Sequence, residues 1–157
     1  MKNANLYETH ILTKNLERAI EFYKGLDLNL AFVIEERRVA FFWLGDPEKK
    51  EQMLGIWEVA EDKFVNRHFA FHVSLEELLE VPVFLESKGI KILPAFGLDE
   101  SEPVVHAWMP AAAYYFEDHD GNSLEYLALV DGQKKPEVGV VHLSKWQQIS
   151  QEAANTR

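Results

Sequence analysis

The sequence predicts an α+β fold in which two tandem βαβββ modules form a curved mixed sheet around a central cavity, followed by a C-terminal extension. Three observations carry this prediction: a length of 157 residues, apolar periodicity that changes between strand and helix spacing, and the order strand–helix–strand–strand–strand, which occurs twice. The modules cover about 6–59 and 66–130, so one domain spans 1–130 and the extension spans 131–157. Each half alone is too small to cover both faces of its sheet, and we therefore expect the halves to share one core.

The first module opens with a strand over 7–13, in which Glu8 and His10 share one face. Asn15 is placed to cap a helix over 16–24, because its side chain can accept from the first turn. Segments rich in β-forming residues follow, and we expect strands over 28–35, 39–44 and 52–59.

The second module repeats this order from a strand over 67–73, in which His68 and His72 share one face. Pro82 cannot lie deep inside a helix, so 75–80 is predicted as a turn and the main helix as 82–88. A long connection covers 94–110, and the remaining strands are predicted over 91–93, 112–116 and 123–130. In the extension we expect a strand over 138–143 and a helix over 145–153 that Ser144 caps.

A net charge of −10 and the absence of cysteine exclude several classes of function. An acidic chain has no general electrostatic attraction to nucleic acid or to an anionic membrane surface, so we expect neither as a partner. Without cysteine there is no disulfide, zinc–thiolate site or thiol nucleophile. The first residues lack the apolar run of a signal peptide, and no run approaches membrane-spanning length, which predicts a cytoplasmic protein.

Three stretches resemble the vicinal oxygen chelate superfamily, which comprises glyoxalase I, fosfomycin resistance enzymes, extradiol dioxygenases and bleomycin resistance proteins. They are ETHILTKNLER from Glu8 with the following FY pair, HFAF from His68, and YFEDHDGNSLE from Tyr115. Within the last stretch, 118–122 is predicted as a tight turn, because it lacks the spacing of a calcium loop, and His119 is expected to face solvent. The resemblance covers about 6–130 and supports the fold, while the superfamily hosts several chemistries.

The resemblance implies a divalent metal held by side chains from the first and last strands of the modules. Matched by motif, its ligands fall on Glu8, His68 and Glu125. Where glyoxalases add a glutamate from the fourth strand, this chain has Gly55, and Glu58 is the carboxylate that could compensate. One imidazole and two carboxylates suit Zn²⁺, Mn²⁺, Ni²⁺, Co²⁺ or Fe²⁺, with positions left open for substrate or water.

Four further side chains are candidates for the substrate pocket. His10 shares the face of Glu8 and is either a competing ligand or a contact to the substrate. His72 is predicted to line the pocket or to be a polar residue of the core. His106 and Trp108 lie on the long connection, a kind of segment that often carries substrate contacts.

The resemblance implies a metal-dependent enzyme of the glyoxalase type acting on a small molecule, as an isomerase, lyase or transferase. The metal would polarise two adjacent substrate oxygens, and Glu8 or Glu125 would serve as general base. Ring-opening dioxygenation is disfavoured because the first ligand position is not histidine. The alternative is a metal-free protein that binds and sequesters a small molecule or antibiotic, as bleomycin resistance proteins do. The expected assembly is a homodimer.

Overall fold

The computed structural model describes residue 2 and residues 4–155, the last two by their backbone alone. The predicted domain ranges also include residues 1, 3, 156 and 157, which lie outside the described residues. The chain divides into two compact units, the first comprising Met1–His68 with Asp118–Asn122 and the second Phe69–Glu117 with Ser123–Arg157. The predicted α+β class with tandem βαβββ modules is confirmed.

The first unit carries a four-stranded sheet with the strand order β1-β4-β3-β2. Strands β1 and β4 pair in parallel, and the other neighbours are antiparallel. The elements are β1 (Glu8–Thr13), α1 (Leu16–Gly25), β2 (Asn29–Ile34), β3 (Val39–Leu44) and β4 (Gln52–Glu58).

Helix α1 covers one face of this sheet. It begins where the Asn15 side chain accepts from the backbone N–H of Arg18 at 2.8 Å, as the sequence predicts. The buried residues Leu16, Ala19 and Tyr23 recur at helical spacing, and the Tyr23 ring lies 6.0 Å from that of Phe42. Because side chains alternate along a strand, the neighbours of Phe42 in β3 point to the opposite, helix-free face.

The second unit carries a five-stranded sheet with the strand order β5-β8-β7-β6-β9. Its elements are β5 (His68–His72), α2 (Leu75–Ser87), β6 (Val104–His106), β7 (Ala111–Glu117), β8 (Ser123–Leu129), β9 (Val140–His142) and α3 (Leu143–Asn155). Helix α2 packs on one face, where Phe84 contacts Tyr126. In this sheet too, the other face is the helix-free face on which Glu125 lies.

The predicted break at Pro82 is wrong, because α2 runs without interruption and contains that proline. A capping box between Ser74 and Glu77 starts the helix seven residues earlier than predicted. Pro82 cannot donate to the carbonyl of Leu78, yet the buried side chains of Leu78 and Leu85 hold both halves of the helix against the sheet. Tertiary packing therefore overrides the local penalty.

The prediction of the second strand of the second module over 91–93 is wrong. In 91–93 only Leu93 forms a single bridge, to Tyr115, whereas the strand in that place is β6, inside the predicted connection 94–110. Strand β6 has only three residues, too few for an alternating pattern to be read. It is buried and paired on both sides, with β7 and with β9.

The extension adds an edge strand and a helix to the second unit. Strand β9 pairs with β6, and α3 begins at Leu143, so the predicted cap at Ser144 is wrong. Both the backbone N–H and the hydroxyl of Ser144 instead donate to the Glu102 carboxylate, at 2.8 and 2.9 Å. Trp146 is buried in this helix and its indole donates to the carbonyl of Asp131 at 2.8 Å.

Candidate functional site

On the helix-free face of the first sheet, the His10 imidazole packs directly against Gly55. His10 is the register partner of Gly55, and a Cβ added to Gly55 would lie 2.5 Å from His10 Cδ2 and 2.9 Å from His10 Nε2. Any side chain at position 55 would therefore displace the imidazole. The place where the family resemblance leads one to expect a fourth metal ligand is filled by the ring edge of His10.

Aromatic side chains surround this imidazole. The Trp57 indole Nε1–H donates to His10 Nδ1 at 3.2 Å, and the Phe41 ring meets the imidazole edge-on at 5.9 Å. The guanidinium of Arg37 lies 4.7 Å from the centre of the Trp57 ring. His10 Nε2 lies 3.8 Å from Oε1 of Glu8, and the two side chains are 39% and 48% exposed. The first unit thus presents an open surface with an imidazole, a carboxylate and the partly exposed indole of Trp57, underlain by the buried ring of Phe41.

Glu58, considered as a compensating ligand, is engaged elsewhere. Its carboxylate accepts from Arg38 at 3.0 and 2.7 Å and from the backbone N–H of Leu16 at 2.7 Å, at the start of α1. These hydrogen bonds lower the pKa of Glu58, with the one from Arg38 contributing most. Because Glu58 alternates with Trp57 along β4, it lies on the helix-covered face, away from Glu8 and His10.

The helix-free face of the second sheet carries a buried polar network. Tyr115 and Glu125 are register partners on β7 and β8, and their side chains share a hydrogen bond. The Tyr115 hydroxyl also lies 2.8 Å from Nε2 of His106, which is 3% exposed, while Glu125 is 6% exposed. His106, Tyr115 and Glu125 thus form one continuous hydrogen-bonded line.

The carboxylate of Glu125, at one end of this hydrogen-bonded line, determines which group donates each proton. A carboxylate can only accept, so the single hydroxyl proton of Tyr115 is donated to Glu125. The Tyr115 oxygen must then accept from Nε2–H of His106, which leaves Nδ1 as the bare nitrogen. Nδ1 is buried and has no hydrogen-bond partner among the described residues. Burial lowers the pKa of His106, against the opposing charge of Glu125, and burial with the Glu125 contact raises the pKa of Tyr115.

Two exposed aromatic residues flank His106. The rings of Phe96 and Trp108 lie 5.1 and 4.8 Å from the imidazole, and these side chains are 59% and 42% exposed. Phe96 has a φ of 55°, in the left-handed region that non-glycine residues seldom adopt. Of the predicted pocket residues, His106 and Trp108 are therefore brought together on one surface of the second unit.

The remaining predicted site residues stand at the ends of β5, where His68 and His72 are both exposed. Over residue 2 and residues 4–155, no group of three histidine, aspartate or glutamate side chains is gathered closely enough to hold a metal ion. The assignment of Glu8, His68 and Glu125 as ligands stays a prediction.

The prediction of an exposed His119 is wrong, because its side chain is only 8% exposed and packs against Phe22 with ring centres 6.0 Å apart. The turn around it is tight as predicted: the Asp118 carboxylate accepts from the backbone N–H groups of Asp120 and Asn122 at 2.9 Å. Asp118 also accepts from the Tyr23 hydroxyl at 2.9 Å, which fastens the turn to α1. The turn has a structural role in the first unit.

The sequence does not single out Tyr115 or Trp57 as functional partners. One signal for Tyr115 was available, since a hairpin turn at 118–122 places it opposite Glu125. Trp57 could not be linked to His10 without the parallel register of β1 and β4.

Two βαβββ units, each with imidazole, carboxylate and aromatic groups on the helix-free face of its sheet, define a tandem-module protein of the vicinal oxygen chelate type. The chain belongs to the glyoxalase/bleomycin resistance protein/dioxygenase superfamily, whose family model matches residues 6–126. The resemblance stated from the sequence is thereby confirmed. No curated protein sequence matches the chain.

Solved structures agree with this assignment. An integron cassette protein from the mobile metagenome of the Halifax Harbour sewage outfall is 31% identical, with a TM-score of 0.68 over 80% of this chain and 98% of its own. A lactoylglutathione lyase from Agrobacterium tumefaciens is 20% identical, with a TM-score of 0.61 over 82% and 96%. A fosfomycin resistance protein from Listeria monocytogenes, in complex with Mn(II) and sulfate, is 17% identical, with a TM-score of 0.57 over 83% and 93%. The last two show similarity of fold.

Across the part of the chain that the structure describes, no helix is both long enough and apolar enough to cross a membrane.

Proposed function

We propose that this chain is a divalent-metal-dependent enzyme of the glyoxalase type that acts on a small molecule, with Glu8, His68 and Glu125 as the metal ligands. The observation that carries the proposal is the burial of Glu125. A buried carboxylate is costly unless its charge is compensated. The Glu125 carboxylate shares a hydrogen bond with the neighbouring Tyr115 hydroxyl. A divalent cation bound beside it would offset its negative charge in this buried place.

The donor set fits such an ion. One imidazole and two carboxylates are ordinary ligands of Zn²⁺, Mn²⁺, Ni²⁺, Co²⁺ and Fe²⁺. By strand alternation, Glu8 lies on the helix-free face of the first sheet and Glu125 on that of the second, and His68 is exposed at the start of β5. Two carboxylates repel each other in the absence of a cation, so the donors need not be gathered before the metal binds.

When bound, the metal would polarise two adjacent oxygen atoms of the substrate and stabilise the negative charge that develops on them. Of the two carboxylates, Glu8 is the better candidate for the general base, because its exposed side chain can reach a substrate proton. Glu125 is held by the Tyr115 hydroxyl, which suits a ligand of fixed orientation. An isomerase, a lyase or a transferase that adds thiol or water fits these roles. The names of two structural neighbours, a lactoylglutathione lyase and an Mn(II)-bound fosfomycin resistance protein, are in keeping with them.

Calorimetric titration of the full chain with Mn²⁺ and Zn²⁺ tests the proposal. We expect one ion per chain and a loss of affinity of at least about tenfold in Glu125→Gln, which keeps the shape of the side chain but removes its charge. Glu86→Gln, an exposed glutamate near the end of α2, is the matched control and should bind like the parent chain. Absence of metal binding, or equal loss in both variants, contradicts the proposal.

Metal should also raise the melting temperature, and by less as the pH falls. Protons compete with the cation for Glu8, His68 and Glu125, so the stabilisation by binding shrinks in acid. Differential scanning calorimetry with metal or with chelator measures this dependence. A melting temperature that changes neither with metal nor with chelator counts against a metal site.

A metal-free binding protein is the second candidate, favoured by the flat aromatic surfaces beside the two histidines. Phe96 and Trp108 flank His106, and Phe41 and Trp57 flank His10. Such surfaces bind planar apolar molecules without help from a cation. Small-molecule binding that persists in Glu125→Gln and in the presence of chelator selects this candidate over the enzyme.

The expected homodimer and the cytoplasmic location remain proposals. Light scattering of the purified full chain should give twice the mass of one chain.

A further inference from the structure

The hydrogen bond between Trp57 and His10 determines which nitrogen of this imidazole carries the proton. The Trp57 indole Nε1–H donates to His10 Nδ1 at 3.2 Å. An indole N–H can only donate, so Nδ1 must be the nitrogen with the free lone pair. A neutral imidazole carries one proton, which therefore lies on Nε2. Nε2 lies 3.8 Å from Oε1 of Glu8, so the N–H stands beside a predicted metal ligand.

We propose that His10 is a hydrogen-bond donor to an oxygen of the substrate and not a ligand of the metal. A nitrogen that carries a proton has no lone pair to offer a cation, while the other nitrogen is engaged with the indole. This inference rests on the proposed metal-dependent function and decides between the two roles that the sequence leaves open for His10.

The surroundings of His10 indicate the chemistry of its partner. The partly exposed ring of Trp57 offers flat apolar contact beside the imidazole, and the guanidinium of Arg37 stands over that ring. A small planar molecule with a carbonyl or carboxylate oxygen fits these groups, since its oxygen meets the Nε2–H and its plane meets the indole.

Gly55 is a part of the same arrangement. The Cδ2–Nε2 edge of His10 occupies the space that a Cβ at position 55 would need. In the glyoxalases that the sequence resembles, a glutamate of the fourth strand contributes a ligand at this place. Here the missing side chain makes room for a donor, so the chain exchanges a metal ligand for a group that binds an oxygen.

Nitrogen-15 NMR of histidine-labelled full-length protein tests the tautomer directly, at a pH where the imidazole is neutral. Comparison with His10→Gln assigns the resonances of His10 among the six histidines. We expect the pattern of a protonated Nε2 in the metal-free protein, and no coordination shift at His10 when Zn²⁺ is added. A protonated Nδ1, or a coordination shift at His10, overturns the inference.

Trp57→Phe asks whether the indole sets the tautomer. The variant keeps an aromatic ring but removes the N–H, so both tautomers of His10 should become populated. Trp43→Phe, on the same face of the same sheet, is the control and should leave the tautomer of His10 unchanged. If Trp57→Phe also leaves it unchanged, the indole does not hold the proton on Nε2 and the inference fails.

Oxalate, the simplest planar molecule with adjacent carboxylate oxygens, probes the donor role. Added with Zn²⁺, it should move the Nε2–H proton resonance of His10 downfield. An unmoved resonance, whether oxalate binds elsewhere or not at all, overturns the donor role. Because the tautomer is read without metal, a chain that binds no metal refutes the proposed function and leaves the tautomer result standing as a separate outcome.

Discussion

The two sheets each carry a histidine on the helix-free face, and the two imidazoles differ in burial and in partner. His10 in the first unit has a side chain that is 39% exposed, whereas His106 in the second is 3% exposed. His10 accepts from an indole through Nδ1, and His106 contacts the Tyr115 hydroxyl through Nε2. The same residue type is therefore held in an open aromatic surface in one unit and in a buried polar line in the other.

The comparison shows two ways in which a hydrogen-bond partner can determine which nitrogen of a histidine carries the proton. Trp57 fixes His10 directly, because an indole only donates. Glu125 determines the tautomer of His106 indirectly. It accepts the hydroxyl proton of Tyr115, so the Tyr115 oxygen must accept from His106. Both imidazoles end with the proton on Nε2. Burial then decides how much each bond matters, since water can replace a lost partner at His10 but has little access to His106.

Tyr115→Phe should disrupt the buried network around His106 and cause the largest loss of stability among these variants. It removes the one hydroxyl that serves both His106 and Glu125, and each unsatisfied buried group costs about 1–3 kcal/mol. We expect a loss of about 3 kcal/mol in the free energy of unfolding, measured by urea denaturation. Tyr7→Phe, at a tyrosine that is 52% exposed, is the control and should change little. A loss below about 1 kcal/mol would mean that water enters the network.

Gly55→Ala should disrupt the exposed surface around His10 by overpacking it. The new Cβ would meet His10 Cδ2 at 2.5 Å and Phe41 Cε1 at 3.1 Å, so the imidazole must leave its seat. Overpacking of this kind costs about 1–3 kcal/mol, and we expect about 2 kcal/mol together with the loss of the Trp57 hydrogen bond in NMR spectra.

Gly25→Ala provides the matched control for that substitution. A Cβ at Gly25 meets no atom within 4 Å, so this variant should be as stable as the parent chain or more so. Equal stability of Gly55→Ala would show that His10 moves aside without cost.

The sequence predicted the first module nearly element by element. Asn15 and the spacing of Leu16, Ala19 and Tyr23 place α1 correctly, and β3 has the predicted bounds 39–44. These elements succeed because each carries its own local signal, either a cap or a long alternating or β-branched run. The alternation of Glu8 and His10 likewise places both on the helix-free face.

The second module was harder to predict because its structure depends on contacts that lie far apart in the sequence. Pro82 breaks a helix in isolation, but packing of Leu78 and Leu85 keeps α2 continuous. Strand β6 exists because β7 and β9 pair with it on both sides. For the same reason the site could be predicted as candidate residues but not as networks: the contact of Trp57 with His10 depends on the register of β1 with β4.

His119 extends the comparison to a third histidine, also in the first unit but buried. Burial lowers the pKa of His119, while the charges of Asp120 and Asp118 oppose the shift and those of Arg18 and Lys14 reinforce it. A histidine whose pKa is lowered by folding gives full stability above its unfolded value of about 6.5 and loses stability as the pH falls below it. The loss reaches at most about 1.4 kcal/mol per pH unit for one proton.

His119→Gln should therefore flatten the dependence of unfolding free energy on pH as the pH falls below about 6.5. Denaturation at a series of pH values measures the slope for both proteins. Gln151→Asn, at an exposed residue that does not titrate, is the control and should keep the slope of the parent chain. An unchanged slope in His119→Gln would assign the pH dependence to other groups.

Trp57→Phe should give the smallest change in stability, and it tests most directly whether burial causes the difference between the two histidines. The variant removes one hydrogen bond to a partly exposed imidazole, which water can replace, so we expect a loss of about 0.5–1 kcal/mol in the free energy of unfolding. Trp43→Phe controls for the exchange of indole for phenyl on the same face of the sheet. A loss as large as that of Tyr115→Phe would contradict the argument that burial sets the difference between the two histidines. A small loss together with a changed His10 tautomer would show that a bond that adds little to stability can still fix the proton on which substrate recognition depends.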